Sequence, residues 1–405
     1  MANTLKFGNG QWATKVGSTL AYNDENGNFK PLPFNFTRST SATRVNKDGL
    51  IEVVTNNKPR IDFLNDSNGA LLLEPNRTNL VTYSESFSGW DIGGTIAVTD
   101  NSTTSPDGTQ NAAKIEYNGS AGYAYFRTTY TAAVGVFSIY AKKGNWRYLG
   151  IRNNGGSSHS VWDFDTETFS NVQTNHTMSF DALGNGWYRI MDYVSVDTAG
   201  PHRGVAITDA TGAETNPSAP AGSYVYLWGA QGENSTTYAT SYIPTQGATA
   251  TRAADACYQT PPSGIIGQTE GTIFADFEIQ TTGQDMVIMN ISNLSTPTNG
   301  IYFYLTSPNQ LAAYVDNGGQ QVLITSGVLA QGKYKAAFGY KANDFAFYLN
   351  GNLVGVDNSG NVPTCSVFQL DNYTAVPTYQ EKTEIAEAKL YNTRLSNSEL
   401  QALTS

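Results

Sequence analysis

Short runs in which apolar and polar residues alternate, each cut off by a cluster of turn residues, constrain this chain more than any other feature. A period of two is that of a strand with one buried face. In VFSIYAK, residues 136–142, it sets Phe137, Ile139 and Ala141 on one side. In WYRIMDYVSV, residues 187–196, it gathers Tyr188, Ile190, Val194 and Val196, while SYVYLWGA at 223–230 is apolar on both faces. GTIFADFEIQ turns Ile273, Ala275, Phe277 and Ile279 inward and leaves Asp276 and Glu278 outside. GTQN, KKGN, NNGGSS, GNG and DTAG stand between such runs and carry turn chemistry. Asn350-Gly351, inside FAFYLNGNLVGV, is the strongest short hairpin signal in the chain. One helix is announced near the end, where LSNSELQAL offers Ser396 as N-cap and Glu399 three residues on, followed by Leu400 and Leu403.

Antiparallel sheets with one apolar face need a second sheet to cover it, so the pattern predicts an all-β protein of sandwich or jelly-roll type with one short C-terminal helix. A chain of 405 residues is too long for one ordinary core. The break CYQTPPSG at 257–264 divides two sets of strands. Residues 1–80 have turn residues every few positions and no sustained period, so they are expected to fold against something else: a symmetry mate, another protein or the following domain. The expected organisation is an N-terminal segment over 1–80, one antiparallel β-sandwich over 81–256 and a second over 257–405.

Charge narrows the partners. Lys and Arg total 24 against 34 Asp and Glu, a formal net charge of −10, and no basic stripe is present. Nucleic acid and anionic membrane surfaces are therefore not expected partners. No apolar run approaches a membrane span, and the opening MANTLKFGNGQWA lacks the apolar centre of a signal peptide. Cys257 and Cys365 are far apart and read as two unpaired thiols; with His159, His176 and His202 scattered, no metal site and no cofactor is expected.

Longer motifs carry a resemblance. FTRSTSATRVNKDGLIEVVTNNKPRIDF and GALLLEPNRTNLVTYSESFSGW resemble a segment that recurs in bacteriophage tail-fibre and other virion appendage proteins, ahead of a carbohydrate-binding-module-like β-sandwich. ALGNGWYRI, YVYLWGAQGE and TSYIPTQGATATRAAD follow in the order found at the end of such sandwiches, so the resemblance covers about residues 34 to 255. From EGTIFADFEI to the end the chain is similar to concanavalin A-like, laminin-G-like sandwiches, and its opening resembles an anchoring segment of crAss-like phages. The resemblance implies a virion appendage, on head or tail, that attaches to other virion proteins through residues 1–80. It also implies a homotrimer of the fibre kind, and sandwiches displayed toward a host-surface polysaccharide.

Two passages, FTRSTSATRVNKDG at 36–49 and TSYIPTQGATATRAAD at 240–255, flank the middle domain with the same Ala-Thr-Arg. Small residues let a backbone lie close to a neighbour, and an arginine can fasten it by donating to carbonyls or a carboxylate. Arg44, Arg252 and Asp255 are the candidates for such a clamp; a solvated connector is the alternative.

Sugars stack their C–H faces on aromatic rings, so aromatic residues on polar strand faces are the candidate binding residues. In the middle domain these are Trp146 and Tyr148, just after a turn, and Trp162. In the last domain they are Tyr302, Tyr304, Tyr314 and Tyr348, which alternate with Phe303, Leu305, Val315 and Leu349 and so point away from the core. No catalytic residue is assigned. Glycosidases need a facing carboxylate pair, the Glu-x-Asp-x-x-Glu strand of sandwich glucanases is missing, and Asp276, Glu278, Asp163 and Asp165 read as solvated faces. Three functions compete: glycan attachment, a purely structural decoration or connector role, and glycan hydrolysis.

Overall fold

A computed structural model describes residues 4–8, 13–15, 19–23, 29–32, 35–87, 89–130, 134–153, 159–196, 202–261, 263–281, 283–293, 296–371 and 379–405. Much of the opening stretch, most of the turn NNGGSS and all of DTAG lie outside these residues. The regular secondary structure of the described residues is almost wholly antiparallel strand, with a single-turn 3-10 segment at Gly184–Gly186 and one α-helix, Asn397–Thr404. It divides into two compact units. One gathers Met1–Lys47, Val53–Asn76 and Ala253–Ser405; the other gathers Asp48–Glu52 and Arg77–Arg252.

In the first unit an eight-stranded and a seven-stranded sheet enclose one core. Period-2 alternation builds it: Ile273, Ala275, Phe277 and Ile279 all face inward from the strand Glu270–Ile279. Ile301, Phe303 and Leu305, with Leu311, Ala313 and Val315 on the next strand, face them from the other sheet. Residues of the opening segment supply strands here. Ala70–Leu73 pairs with Thr383–Tyr391, and Asn35–Thr37 pairs with Ala256–Gln259. The hairpin at Asn350-Gly351 forms with φ of 46° and 75°, the left-handed pair that a two-residue turn of this kind requires. Ser396 caps the helix as its sequence proposes, its Oγ accepting from the Glu399 amide while the Glu399 carboxylate accepts from the Ser396 amide at 2.7 Å.

Two six-stranded sheets form the second unit around Phe137, Ile139, Ala141, Ile190, Val225 and Leu227, among others. The run apolar on both faces explains itself here. Val225 and Leu227 enter this core, while Trp228 packs on the other side against Tyr140 and Tyr242. A bulge reverses the facing: Gly229 and Ala230 together oppose Ile139, and Gly229 takes a φ of 60°. A Cβ there would sit 2.8 Å from the Tyr140 ring, which is why YLWGAQG needs glycine at that point.

Candidate functional site

The seven-stranded sheet brings three of the tyrosines together. Its register sets Asn290 opposite Tyr302, Tyr302 opposite Tyr314, and Tyr314 opposite Leu323, with Gln369 on the far side of Asn290. Because the alternate residues fill the core, this row lies on the outer face. The rings of Tyr302 and Tyr314 are 5.9 Å apart and tilted by 40°. Two residues along, Tyr304 meets Tyr379 edge-on at 5.8 Å. Tyr304, Tyr314 and Tyr379 are half-buried, whereas Tyr302 is buried at 4% exposure, so its outward face is covered and it supports the other rings instead of meeting a ligand itself.

Carboxylates border the rings. Tyr314 donates its hydroxyl to Asp316 at 2.9 Å. Burial, and then the charge and hydrogen bonding of Asp285, hold the Tyr304 phenol well above its ordinary range, so it stays a donor at any physiological pH. Asp285 also accepts from the Ser307 amide. Below the rings, the buried Gln369 donates to Ser292 Oγ at 2.9 Å, and Asn290 is fully buried. The arrangement offers partly exposed ring surface beside hydrogen-bond acceptors. Asn290 and Gln369 had a sequence signal, as polar residues at outward positions in the apolar strands VIMNIS and VFQL; Tyr379 and Asp285 lie outside the strands and had none.

The other candidates are placed differently. Tyr348 faces away from the main core, as alternation requires, but Leu400 of the C-terminal helix and Phe274 cover it, and it is 7% exposed. Trp162 is completely buried, packed among Phe164, Phe169, Phe180 and Tyr188, so it is a core residue and not a ledge for a ligand. Alternation predicts the face of a strand, and only the packing tells whether that face is covered. Trp146 and Tyr148 are both half-buried, 5.9 Å apart and roughly perpendicular. The Trp146 indole N–H is already donated to the Thr208 carbonyl at 2.8 Å, and the Arg147 guanidinium lies 5.1 Å over the Tyr148 ring.

Arg147 also grips Asp163 through two hydrogen bonds of 2.7 and 2.6 Å. Asp163 is therefore a buried ion-pair partner, and the solvated face expected of it is left to Asp165. Asp276 and Glu278 keep to the outer face of their strand, opposite Lys335 and Lys333. His159 and His176 are buried beside carboxylates, 2.8 Å from Glu214 and from Asp192, and His202 meets Thr129 at 2.9 Å. Both cysteines are buried thiols.

Asp255 sits at a buried charge cluster. It accepts from Arg38 at 2.9 Å, from Arg60 at 2.5 Å and from the Glu74 amide at 3.0 Å, and Arg60 also reaches Glu74 at 2.7 Å. All four side chains are sealed from solvent. Burial works against the Arg60 charge, and the fields of Asp255 and Glu74 outweigh it. Arg44 donates to the Ile61 carbonyl at 3.1 Å, and the buried Arg252 to Ser241 Oγ at 3.1 Å. The arginines on Asp255 are thus Arg38 and Arg60, which lie in the same early motif as Arg44.

These units define an all-β protein built from antiparallel sandwiches. No protein-family model matches the chain, and no curated protein matches its sequence. Among solved structures, it is similar to the CBM40 module of the Ruminococcus gnavus IT-sialidase, with 14% identity, a TM-score of 0.30, and coverage of 34% of this chain and 84% of that one. A SAP-like pentraxin from Limulus polyphemus matches at 12% identity and a TM-score of 0.27, over 35% of this chain and 72% of its own. A proposed carbohydrate-binding protein of Bacteroides ovatus matches at 8% identity and a TM-score of 0.30, over 80% of this chain and 84% of its own. Similarity at this level assigns no activity to this chain.

Proposed function

We propose that the protein is a bacteriophage virion appendage that holds a host-surface polysaccharide on the tyrosine face of its seven-stranded sheet, without cutting it. The observation that carries the binding is the pair of half-buried outward rings, Tyr304 and Tyr314, bordered by Asp285 and Asp316, with the buried Tyr302 behind Tyr314 as support. Half-buried rings take the C–H face of a pyranose, and carboxylates accept from its hydroxyls. The formal charge of −10 favours neutral or basic sugars. The virion setting, the homotrimer and attachment through residues 1–80 rest on the motifs between residues 34 and 255 and on the opening segment. Several copies on one particle would turn weak single sites into firm attachment.

Particles carrying Tyr304→Ala with Tyr314→Ala test this. Each ring should contribute on the order of 1 kcal/mol, so the pair should weaken adsorption to host cells clearly while the particle assembles normally. Unchanged adsorption removes the tyrosine face. Normal adsorption by particles lacking the protein altogether removes the attachment role and leaves a connector role. The connector reading has support of its own in the exposed apolar residues Leu323, Val328, Leu353 and Val356, at 46 to 68% exposure.

A further inference from the structure

The second unit contains a cleft of about 420 Å³ that none of the aromatic candidates enters. Two of the long motifs meet to form it. The Thr245 amide donates to Ser84 Oγ at 2.8 Å, Gly247 donates to the Thr82 carbonyl at 2.7 Å, and Tyr83 bridges to Gln246. The YSES of 83–86 and the PTQ of 244–246 thereby become two walls. Asn101, at a φ of 56° in an irregular stretch of its strand, and Asn111 complete the lining.

The one charged group of the lining is a carboxylate. Glu85 accepts from the Tyr242 hydroxyl at 2.9 Å and from Asn111 Nδ2 at 3.4 Å. The same Nδ2 donates to Asp107 at 3.1 Å, which fixes the orientation of the amide. Asn111 Oδ1, left on the opposite side, is buried and has no hydrogen-bond partner among the described residues. Because Oδ1 is sealed from solvent, the acceptor the cleft offers is the Glu85 carboxylate. Beside it the Tyr83 ring is 42% exposed and Pro244 is exposed, an apolar surface next to the acceptors. Burial pushes the Glu85 carboxyl up, Tyr242 pulls it back, and the Asp107 charge raises it again. None of the lining residues is cationic.

We propose that this cleft is a binding site for a neutral mono- or disaccharide unit, whose hydroxyls donate to Glu85 while a C–H face rests on Tyr83. The volume lies within the ~300–1,000 Å³ of small-molecule pockets. A hydroxyl donor suits the Glu85 carboxylate, and an acidic sugar would find no cation to meet it. This site is separate from the tyrosine face, and either can fail without the other.

The test uses the full-length protein and the methyl glycosides of glucose, galactose, mannose and N-acetylglucosamine, read by saturation-transfer NMR. At least one glycoside should bind with millimolar affinity. Tyr83→Ala should weaken it about fivefold, as ~1 kcal/mol of stacking implies, and Glu85→Gln by about tenfold. In protein that carries Tyr304→Ala with Tyr314→Ala, and so lacks the tyrosine face, binding should persist and the same two cleft changes should weaken it. Because Tyr83 is exposed and Gln can keep the Tyr242 hydrogen bond, both cleft variants should fold, which the tryptophan emission of this unit reports. The proposal is overturned if no glycoside of the four shows transfer, or if transfer survives both cleft variants at parental strength. Loss of host adsorption in the tyrosine variants alongside either result would sink the cleft and leave the tyrosine face standing.

Discussion

Removing Asp255 should loosen the first unit. Arg38, Arg60, Glu74 and Asp255 are all sealed from water, two guanidinium ions against two carboxylates. Asp255→Ala leaves two guanidinium ions against the one carboxylate of Glu74, with Arg38 held by the backbone carbonyls of Thr40, Val54, Thr55 and Lys58, and deprives the Glu74 amide of its acceptor. Breaking a buried pair in this way costs ~3–5 kcal/mol, chiefly because an uncompensated charge stays in a dry site. The chain supplies its own reporter. Its two cysteines, Cys257 and Cys365, both belong to this unit and both are buried. Burial pushes the Cys365 thiol up to about 12, so neither its access nor its ionisation permits reaction until the unit opens. Labelling by iodoacetamide under native conditions then follows the population of the open form. At tenfold per 1.4 kcal/mol, the variant should label roughly a hundred- to several thousand-fold faster than the parent. Replacing all four residues by apolar ones (Arg38→Met, Arg60→Met, Glu74→Met and Asp255→Leu) should label more slowly than Asp255→Ala alone, since no charge is then stranded. A labelling rate in Asp255→Ala equal to that of the parent would refute the reasoning outright.

Three further outcomes are expected. Burial, with Asp62 and Glu278 nearby and Lys382 opposing them, raises Glu384 from 4.5 to about 7. Its neutral form is the one the fold accommodates, so its contribution is complete below 4.5 and lost as pH rises through 7; Glu384→Gln should flatten the fall in thermal midpoint across that window. Gly229→Ala forces a Cβ onto Tyr140 at a left-handed φ and should cost ~1–3 kcal/mol, visible in denaturant titration by tryptophan fluorescence, since Trp90, Trp146, Trp162, Trp187 and Trp228 all lie in that unit. Ser396→Ala removes the cap of the C-terminal helix and should cost ~1 kcal/mol, read as faster exchange of the Glu399 amide, which Ser396 now holds.

What the sequence determined by itself was local. Period-2 runs named the strands and their inward residues, as at Ile273 to Ile279 and Ile301 to Leu305, because successive side chains on a strand must point to opposite faces. Turn and cap chemistry placed the hairpin at Asn350-Gly351 and the helix start at Ser396, because those residues satisfy backbone groups within a few positions of themselves. The outward facing of Tyr302, Tyr304 and Tyr314 was legible for the same reason. What lies over an outward face was not. Tyr348 is covered by a helix that begins 49 residues later, and Trp162 by rings from three other strands and a turn. Nor could local pattern tell that Arg38 and Arg60, rather than Arg44 and Arg252, reach Asp255, or that YSES and PTQ close one cleft. Those contacts join residues separated by 195 and 217 positions at the cluster and by 161 at the cleft, and only the pairing of strands across the whole chain brings them within reach.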